Sequence, residues 1–389
     1  MNKLDFICSK NRCTGCFACA NICPKDAIKM VDDEYGFIRP FIDEKKCADC
    51  GLCKLKCPAN SNENYNEIKE VYACWTKNSK ERKKSTSGGM FSELSRYVLQ
   101  QNGCVVGVQW SKNFTPEHII VHGLEDLDKL KGSKYAQSNV GNIYIKVKDV
   151  LIDGKTVLFS GTPCQVAALR SFLGKEYDNL FCVDLVCHGV PSSKMLSNYY
   201  REVHSGILNN VSLRYKDPYW DYSYVKIDFD DGYHYQELTL NDSYFNLFNI
   251  GYSLRNSCHS CKYTSTNRVG DITLADFWGY LPNSMEAVSY NRGTSCVLLN
   301  TEKGKMLFSA MKNKVYSEKS TIEKAVQGNK CLKEPFTLDN NLLRSFWRDY
   351  EDGFSLKDLN EKYCADTFKL PSLMPIRRLY NKFRWVIKR

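Results

Sequence analysis

CTGCFACANICP at residues 13–24 and CADCGLCKLKCP at residues 47–58 are two copies of one spacing, C-x2-C-x2-C-x3-C-P. Three thiolates set two residues apart can fold around one iron–sulfur cube and cover three of its irons. The fourth, beside proline, points away and ligates the other cube. The spacing therefore predicts two 4Fe–4S clusters. One falls on Cys13, Cys16, Cys19 and Cys57, the other on Cys47, Cys50, Cys53 and Cys23. Four-cysteine zinc also uses C-x2-C pairs. Zinc does not need three cysteines in a row at this spacing, twice, each ending in C-x3-C-P. The segment is read as a carrier of single electrons.

Working outward, residues 1–59 form a small two-cluster ferredoxin-like unit, and the polar run NSNENYNEIKE at 60–70 reads as a linker. From Val71 strand and helix patterns alternate. VYACWT, CVVGVQW, HIIVHG, TVLFSG and LFCVDLVCHG read as strands, and SGGMFSELSRYVLQQNG, NIYIKVKDVLIDG and TPCQVAALRSFLG as helices. Such alternation implies a parallel or mixed sheet covered by helices. Beyond about residue 205 the pattern loosens; YVKIDFDDGYHYQEL reads as a hairpin turning at Asp231-Gly232. The expected fold is α+β or α/β: the ferredoxin-like unit, then a larger mixed α/β domain over residues 71–370, then a basic tail over 371–389.

At 389 residues the chain is too long for one ordinary core. Its start lacks a basic region followed by an apolar one, and no stretch is apolar enough to span a bilayer. Nineteen cysteines without an export signal point to metal ligands and a reducing, cytoplasmic compartment. The net charge is +10, but six cations lie in residues 377–389, which hold no acid, leaving +4 on the body. That is no organised basic face, so no nucleic-acid partner is expected. In the tail, Ile376, Leu379, Tyr380, Phe383, Val386 and Ile387 recur at helical spacing among the cations. This is the pattern of a helix resting on an anionic membrane, or of one docked on its own domain.

Four further cysteines sit at turns: Cys164 in SGTPCQVAALR, Cys187 in VCHGVPS, and Cys258 and Cys261 in NSCHSCKY. They form a third cluster site or are buried thiols, with Cys164 alternatively a reactive thiol at a helix start. Cys104 and Cys182 fall inside apolar strands and read as core. Ser87-Gly88-Gly89 and Ser160-Gly161-Thr162 open helices and could receive a phosphate. G-x-G-x-x-G and G-x4-G-K-[ST] are both absent, so neither a Rossmann nicotinamide site nor nucleotide hydrolysis has support.

STSGGMFSEL, GSKYAQS, VLFSGTPCQVAALRSFL, DLVCHGVPS, and NSCHSCKY followed by RVGDITLADFWG occur in this order. Together they resemble the family of coenzyme F-420 hydrogenase/dehydrogenase beta subunits, here fused to the two-cluster ferredoxin domain. The resemblance covers about residues 70–300. It implies a flavin, FAD with FMN as the alternative, beside a third 4Fe–4S cluster on Cys164, Cys187, Cys258 and Cys261. It places Ser87, Gly88, Gly89, Lys134, Ser138, Gly161, Thr162, Gln165 and Arg268 around the flavin, with Asp271 and Asp276 shaping the same pocket. None of these motifs selects a deazaflavin over another substrate.

A flavin takes two electrons as hydride and releases them singly, which a cluster can accept. The expectation is an iron–sulfur flavoprotein oxidoreductase. It would work on a small organic substrate or a deazaflavin, with a redox partner such as ferredoxin or reduced deazaflavin. The alternative is a non-catalytic electron-transfer subunit of a larger complex. His188, beside Cys187 at a strand end, is the acid–base candidate, against a purely structural role.

Overall fold

The computed structural model describes residues 4–61, 65–216, 220–281 and 292–365. The basic tail at 371–389 lies outside them. The N-terminal unit is an antiparallel hairpin, β1 (Ile28–Asp32) on β2 (Ile38–Ile42), with short helices Ala18–Ile22 and Leu52–Leu55 inside the two cysteine runs.

The rest is a mixed α/β fold around a large sheet. Its strands are β3 (Glu70–Thr76), β4 (Cys104–Trp110), β5 (Pro116–Val121), β6 (Val157–Gly161), β7 (Leu180–Leu185), β11 (Ile272–Asp276), β12 (Ser295–Leu299) and β13 (Val315–Ser320). The order across the sheet is β13-β3-β12-β11-β7-β6-β4-β5. β11, β7, β6 and β4 are mutually parallel, and the outer strands pair antiparallel. Every residue of β6 is buried, as a strand covered on both faces requires. The period of two then divides the strands between two cores. Val157, Phe159 and Cys182 face helices Ile143–Ile152 and Pro163–Leu173, whereas Leu158 and Val183 face helices Met90–Gln100 and Glu302–Met311.

The excursion between β7 and β11 builds a separate antiparallel sheet, β8 (Leu208–Tyr215), β9 (Tyr224–Phe229) and β10 (His234–Leu238). It packs with helices Ser193–Val203, Ser243–Ile250, Asn340–Glu351 and Leu356–Cys364 into a third core. The hairpin at Asp231-Gly232 forms as its sequence predicts, with Gly232 at φ 88°.

The ferredoxin-like unit is not tethered at a distance. Cys16, Phe17, Ala18 and Ile38 belong to the same apolar core as Val157 and Phe159, and Phe37 belongs to the core of the smaller sheet. The polar segment read as a linker is also fastened down. Asn66 exchanges backbone hydrogen bonds with Arg268, and Lys69 N–H donates to the Leu299 carbonyl. Its side chains are polar, but its backbone is laid against the large domain.

Candidate redox centre

Cys19 and Cys53 lie in the short helices, and the other cluster cysteines lie in the turns that flank them. Cys13, Cys16, Cys19 and Cys57 line one small cavity, together with Cys8. Cys57 thus joins the first three cysteines rather than its own run. Cys53 lies with Cys23 and Cys47, whose charges add to the effect of burial in raising its pKa; Cys50 is exposed. Burial pushes the Cys16 thiol up to about 12 and Cys19 well above its ordinary value. Iron must therefore displace protons from buried thiols when the site is loaded.

Cys8 is the residue that spacing did not flag. It hydrogen-bonds Cys13 and Cys57, which raises its own pKa far above that of a free thiol and draws Cys13 down to about 5. Its position five residues before Cys13 was the only available signal.

The second cysteine set gathers at the C-terminal ends of the parallel strands, where open α/β sheets bind ligands. Cys164 starts the helix after β6. Cys187 follows β7, and Cys258 and Cys261 flank a tight turn after the smaller sheet. Burial raises all four thiols, Cys258 to about 12 and Cys261 to about 11. Cys187 is raised further by the charges of Cys258, Cys164 and Cys261, so the four share one neighbourhood. Cys16 also feels the charge of Cys164, which sets this group beside the first ferredoxin cavity. Among the described residues no three His, Cys, Asp or Glu side chains close on a single ion. A cube asks each thiolate to reach a different iron, a wider shell than one ion needs.

The residues expected around a flavin fall into two places. Thr162 and Gln165 form a capping box on helix Pro163–Leu173; Gln165 Nε2 donates to Ser138 Oγ at 2.9 Å, and Thr162 Oγ1 lies 3.1 Å from Cys164 Sγ. Gly161, Thr162, Gln165 and Ser138 therefore surround the start of the Cys164 helix. Ser87, Gly88 and Gly89 lie elsewhere, packed on β3 and β12. A Cβ at Gly88 would stand 2.3 Å from the Cys74 carbonyl oxygen, and the Gly88 amide already donates to Ser295 Oγ. Arg268 is engaged by the scaffold, donating to Asp184, Thr273 and the carbonyls of Leu185, Tyr263 and Ser265.

A cavity of about 560 Å³ opens near the Ser87 turn, lined in part by Lys84, Trp110, Lys131, Ser133 and Arg214. The Ser133 amide donates to Thr86 Oγ1 at 3.1 Å, joining its wall to the turn. Beside it are two lysines with unusual partners. Lys134 Nζ donates to the carbonyls of Lys129 and Lys131, and Lys216 Nζ to those of Ser87 and Arg292. Neither meets a carboxylate among the described residues, and burial draws both down to about 7. Asp276 pairs with Arg214 on the cavity wall. Asp271 instead receives the Cys182 amide at 2.7 Å.

His188 is held by packing. Its Nε2 lies 3.1 Å from the Phe248 carbonyl, its ring sits between Phe248 and Phe336, and burial lowers its pKa. Cys104 and Cys182 are fully buried core residues, as read from their strands.

A two-cluster ferredoxin domain built into a mixed α/β domain defines an iron–sulfur protein of the electron-transfer class, with two 4Fe–4S clusters. The model of the 4Fe-4S dicluster domain matches residues 12–61. Those of the coenzyme F420 hydrogenase/dehydrogenase beta subunit match residues 71–143 for its N-terminal part and 154–325 for its C-terminal part. The chain belongs to this family of beta subunits. It is 23% identical over 332 residues to an F(420)H(2) dehydrogenase subunit of Methanosarcina mazei, covering 80% of this chain and 86% of that one. It is 28% identical over 193 residues to coenzyme F420-dependent sulfite reductase of Methanocaldococcus jannaschii, covering 49% of this chain and 30% of that protein. A chain from the F420-reducing [NiFe] hydrogenase complex of Methanosarcina barkeri superposes with a TM-score of 0.45 at 17% identity, over 77% of this chain and 93% of that one. No helix among the described residues is long and apolar enough to cross a membrane.

Proposed function

We propose that the chain is a flavin-dependent oxidoreductase. It would couple hydride exchange with a small organic substrate or a deazaflavin to single-electron transfer through three 4Fe–4S clusters. The reading is supported by the third cysteine group, which neighbours the first ferredoxin cavity and is linked through residues 132–138 to the lysine-rich cavity. Cys164 lies beside Cys16. Residues 132–138 run from the cavity wall at Ser133 to Ser138, which holds Gln165 on the Cys164 helix.

The donor sets fit the groups. Four thiols in one buried neighbourhood suit a cube, and two lysines without carboxylate partners suit the phosphates of a flavin. A bound flavin would supply the exchange between a two-electron hydride and single electrons. Lys134 and Lys216 would hold its phosphates, Thr162 and Gln165 would fix the helix start beside it, and Trp110 would wall the cavity. A redox partner such as ferredoxin or a reduced deazaflavin would exchange electrons with the chain; its relatives are named for F420 chemistry.

The reading is tested by anaerobic purification and assay of iron, acid-labile sulfide and released flavin. It expects about twelve irons, at four for each cube, and one flavin. About eight irons with no flavin would sink it. A second reading, a relay subunit without its own substrate chemistry, is favoured by the packing of His188, which leaves the acid–base candidate engaged. Turnover of a hydride donor by the isolated chain would eliminate that second reading.

A further inference from the structure

We propose that Arg255 is the fixed positive charge that raises the reduction potential of the cluster on Cys13, Cys16, Cys19 and Cys57. Arg255 is 1% exposed, yet it pairs with no carboxylate among the described residues. Its Nη1 donates to the Cys13 carbonyl at 2.9 Å, and its Nη2 to the Ile38 carbonyl at 2.6 Å and to Gln137 Oε1 at 2.8 Å. All three acceptors are neutral. Its Nε has no partner, and its guanidinium lies over the Phe37 ring at 5.2 Å. Arg39, the neighbouring buried arginine of the ferredoxin-like unit, has Asp33 at 2.7 Å. Arg255 has no such partner.

A buried cation needs a counter-charge, because transfer from water is costly unless the charge is paired. The negative charge that completes this site is that of the thiolate-bound cube. The local backbone is shaped to admit the arginine. Gly15, between Cys13 and Cys16, has φ 60°, and a Cβ there would stand 2.7 Å from Arg255 Nη2 and 2.4 Å from Gln137 Nε2. Arg255 also accepts the Cys258 amide on its own carbonyl at 2.8 Å. One residue therefore touches the backbone of a ligand in the first cluster and of a cysteine in the third group.

Reduction of the cube adds one electron and moves no proton, because arginine stays protonated throughout. Its attraction for the added charge thus appears directly in the potential, strengthened by burial. Arg255 donates to none of Cys23, Cys47, Cys50 and Cys53, so the cluster on those cysteines serves as an internal reference. The inference rests on the proposed path only in taking the Cys13 cluster as the one next to the third cysteine group.

The test is a redox titration of the full chain, purified anaerobically, followed by electron paramagnetic resonance with iron assayed in parallel. The variants are Arg255→Gln, Arg255→Lys and Gln137→Met. Arg255→Gln should lower one 4Fe–4S step by tenfold or more in its equilibrium constant, about 59 mV for one electron, and leave the reference step in place. Arg255→Lys should restore most of the shift. Gln137→Met removes the hydrogen bonds to Arg255, Ile38, Thr14 and Gly15 but no charge, and should shift the step less than Arg255→Gln does. An unshifted potential in iron-replete Arg255→Gln overturns the inference, as does a Gln137→Met shift of equal size. If Arg255→Gln loses its iron, Arg255→Lys decides: iron and potential retained support the charge, whereas iron lost in both overturns it. A wild-type count of about eight irons would end the three-cluster path and leave this test standing.

Discussion

Arg268 and Asp184 form an ion pair sealed from solvent. Arg268 Nη2 lies 3.3 Å from Asp184 Oδ1, with the two side chains 1% and 0% exposed. Asp184 sits on β7 three residues before Cys187, and Arg268 follows Cys261 by seven. Asp184 also accepts the amides of Val269 and Gly270, while Arg268 donates to the Tyr263 and Ser265 carbonyls. The pair thus fastens the loop carrying Cys261 to the strand end carrying Cys187.

Removing one partner leaves a buried charge without its counter-ion. Arg268→Met is expected to lose about 3–5 kcal/mol of stability, read as a lower denaturation midpoint. The double variant Asp184→Asn/Arg268→Met should recover part of that loss, because neither charge remains and the amide oxygen at 184 still accepts from Val269 and Gly270. A single variant within about 1 kcal/mol of wild type would show that the pair is not the fastening.

The crossed ligation makes a grouping prediction. Cys57→Ser should abolish the same redox component as Cys16→Ser, because both cysteines line one cavity. Cys23→Ser and Cys47→Ser should abolish the other. Redox titration of the four variants sorts them into pairs. Cys57→Ser grouping with Cys47→Ser would contradict the crossing.

The features legible in the sequence are those whose partners are close in the chain. The C-x2-C runs, the alternation through β6 and β7 and the hairpin at Asp231-Gly232 all depend on a few neighbouring residues. Contacts between distant segments follow no local period. Arg255 reaches Cys13 across 242 positions, and Phe17 enters the core of a domain whose strands begin more than fifty residues later. The lysine-rich cavity likewise draws Lys84, Ser133 and Arg214 from three separate segments. Cys8 was unreadable for another reason: a thiol beside a cluster needs no particular spacing. Composition marked the linker as polar, and so hid the backbone pairing of Asn66 with Arg268.

The third cysteine group predicts a selective loss of iron. Cys164→Ser or Cys261→Ser should release about four irons from the full complement and keep both ferredoxin components. Cys182 is the control. It is fully buried in β7 and lies in the apolar core, so Cys182→Ala should keep all the iron. Equal iron in Cys164→Ser and wild type would assign Cys164 to packing alone.

Lys134 and Lys216 predict opposite pH trends for stability and for anion binding. Burial holds both at about 7 in the folded chain, against 10.5 for a free lysine. Between those values the unfolded chain keeps protons that the folded chain has shed, so this contribution to stability rises with pH across that window. A phosphate-bearing ligand prefers the charged lysines. Its affinity should be greatest below pH 7 and fall as pH rises, by up to about tenfold per unit for each lysine involved. FAD rebinding to flavin-depleted protein, titrated from pH 6 to 9, reads this directly. Lys134→Met and Lys216→Met should each weaken binding at pH 6 and flatten the pH profile. A profile as steep as wild type in both variants would remove these lysines from the anion site.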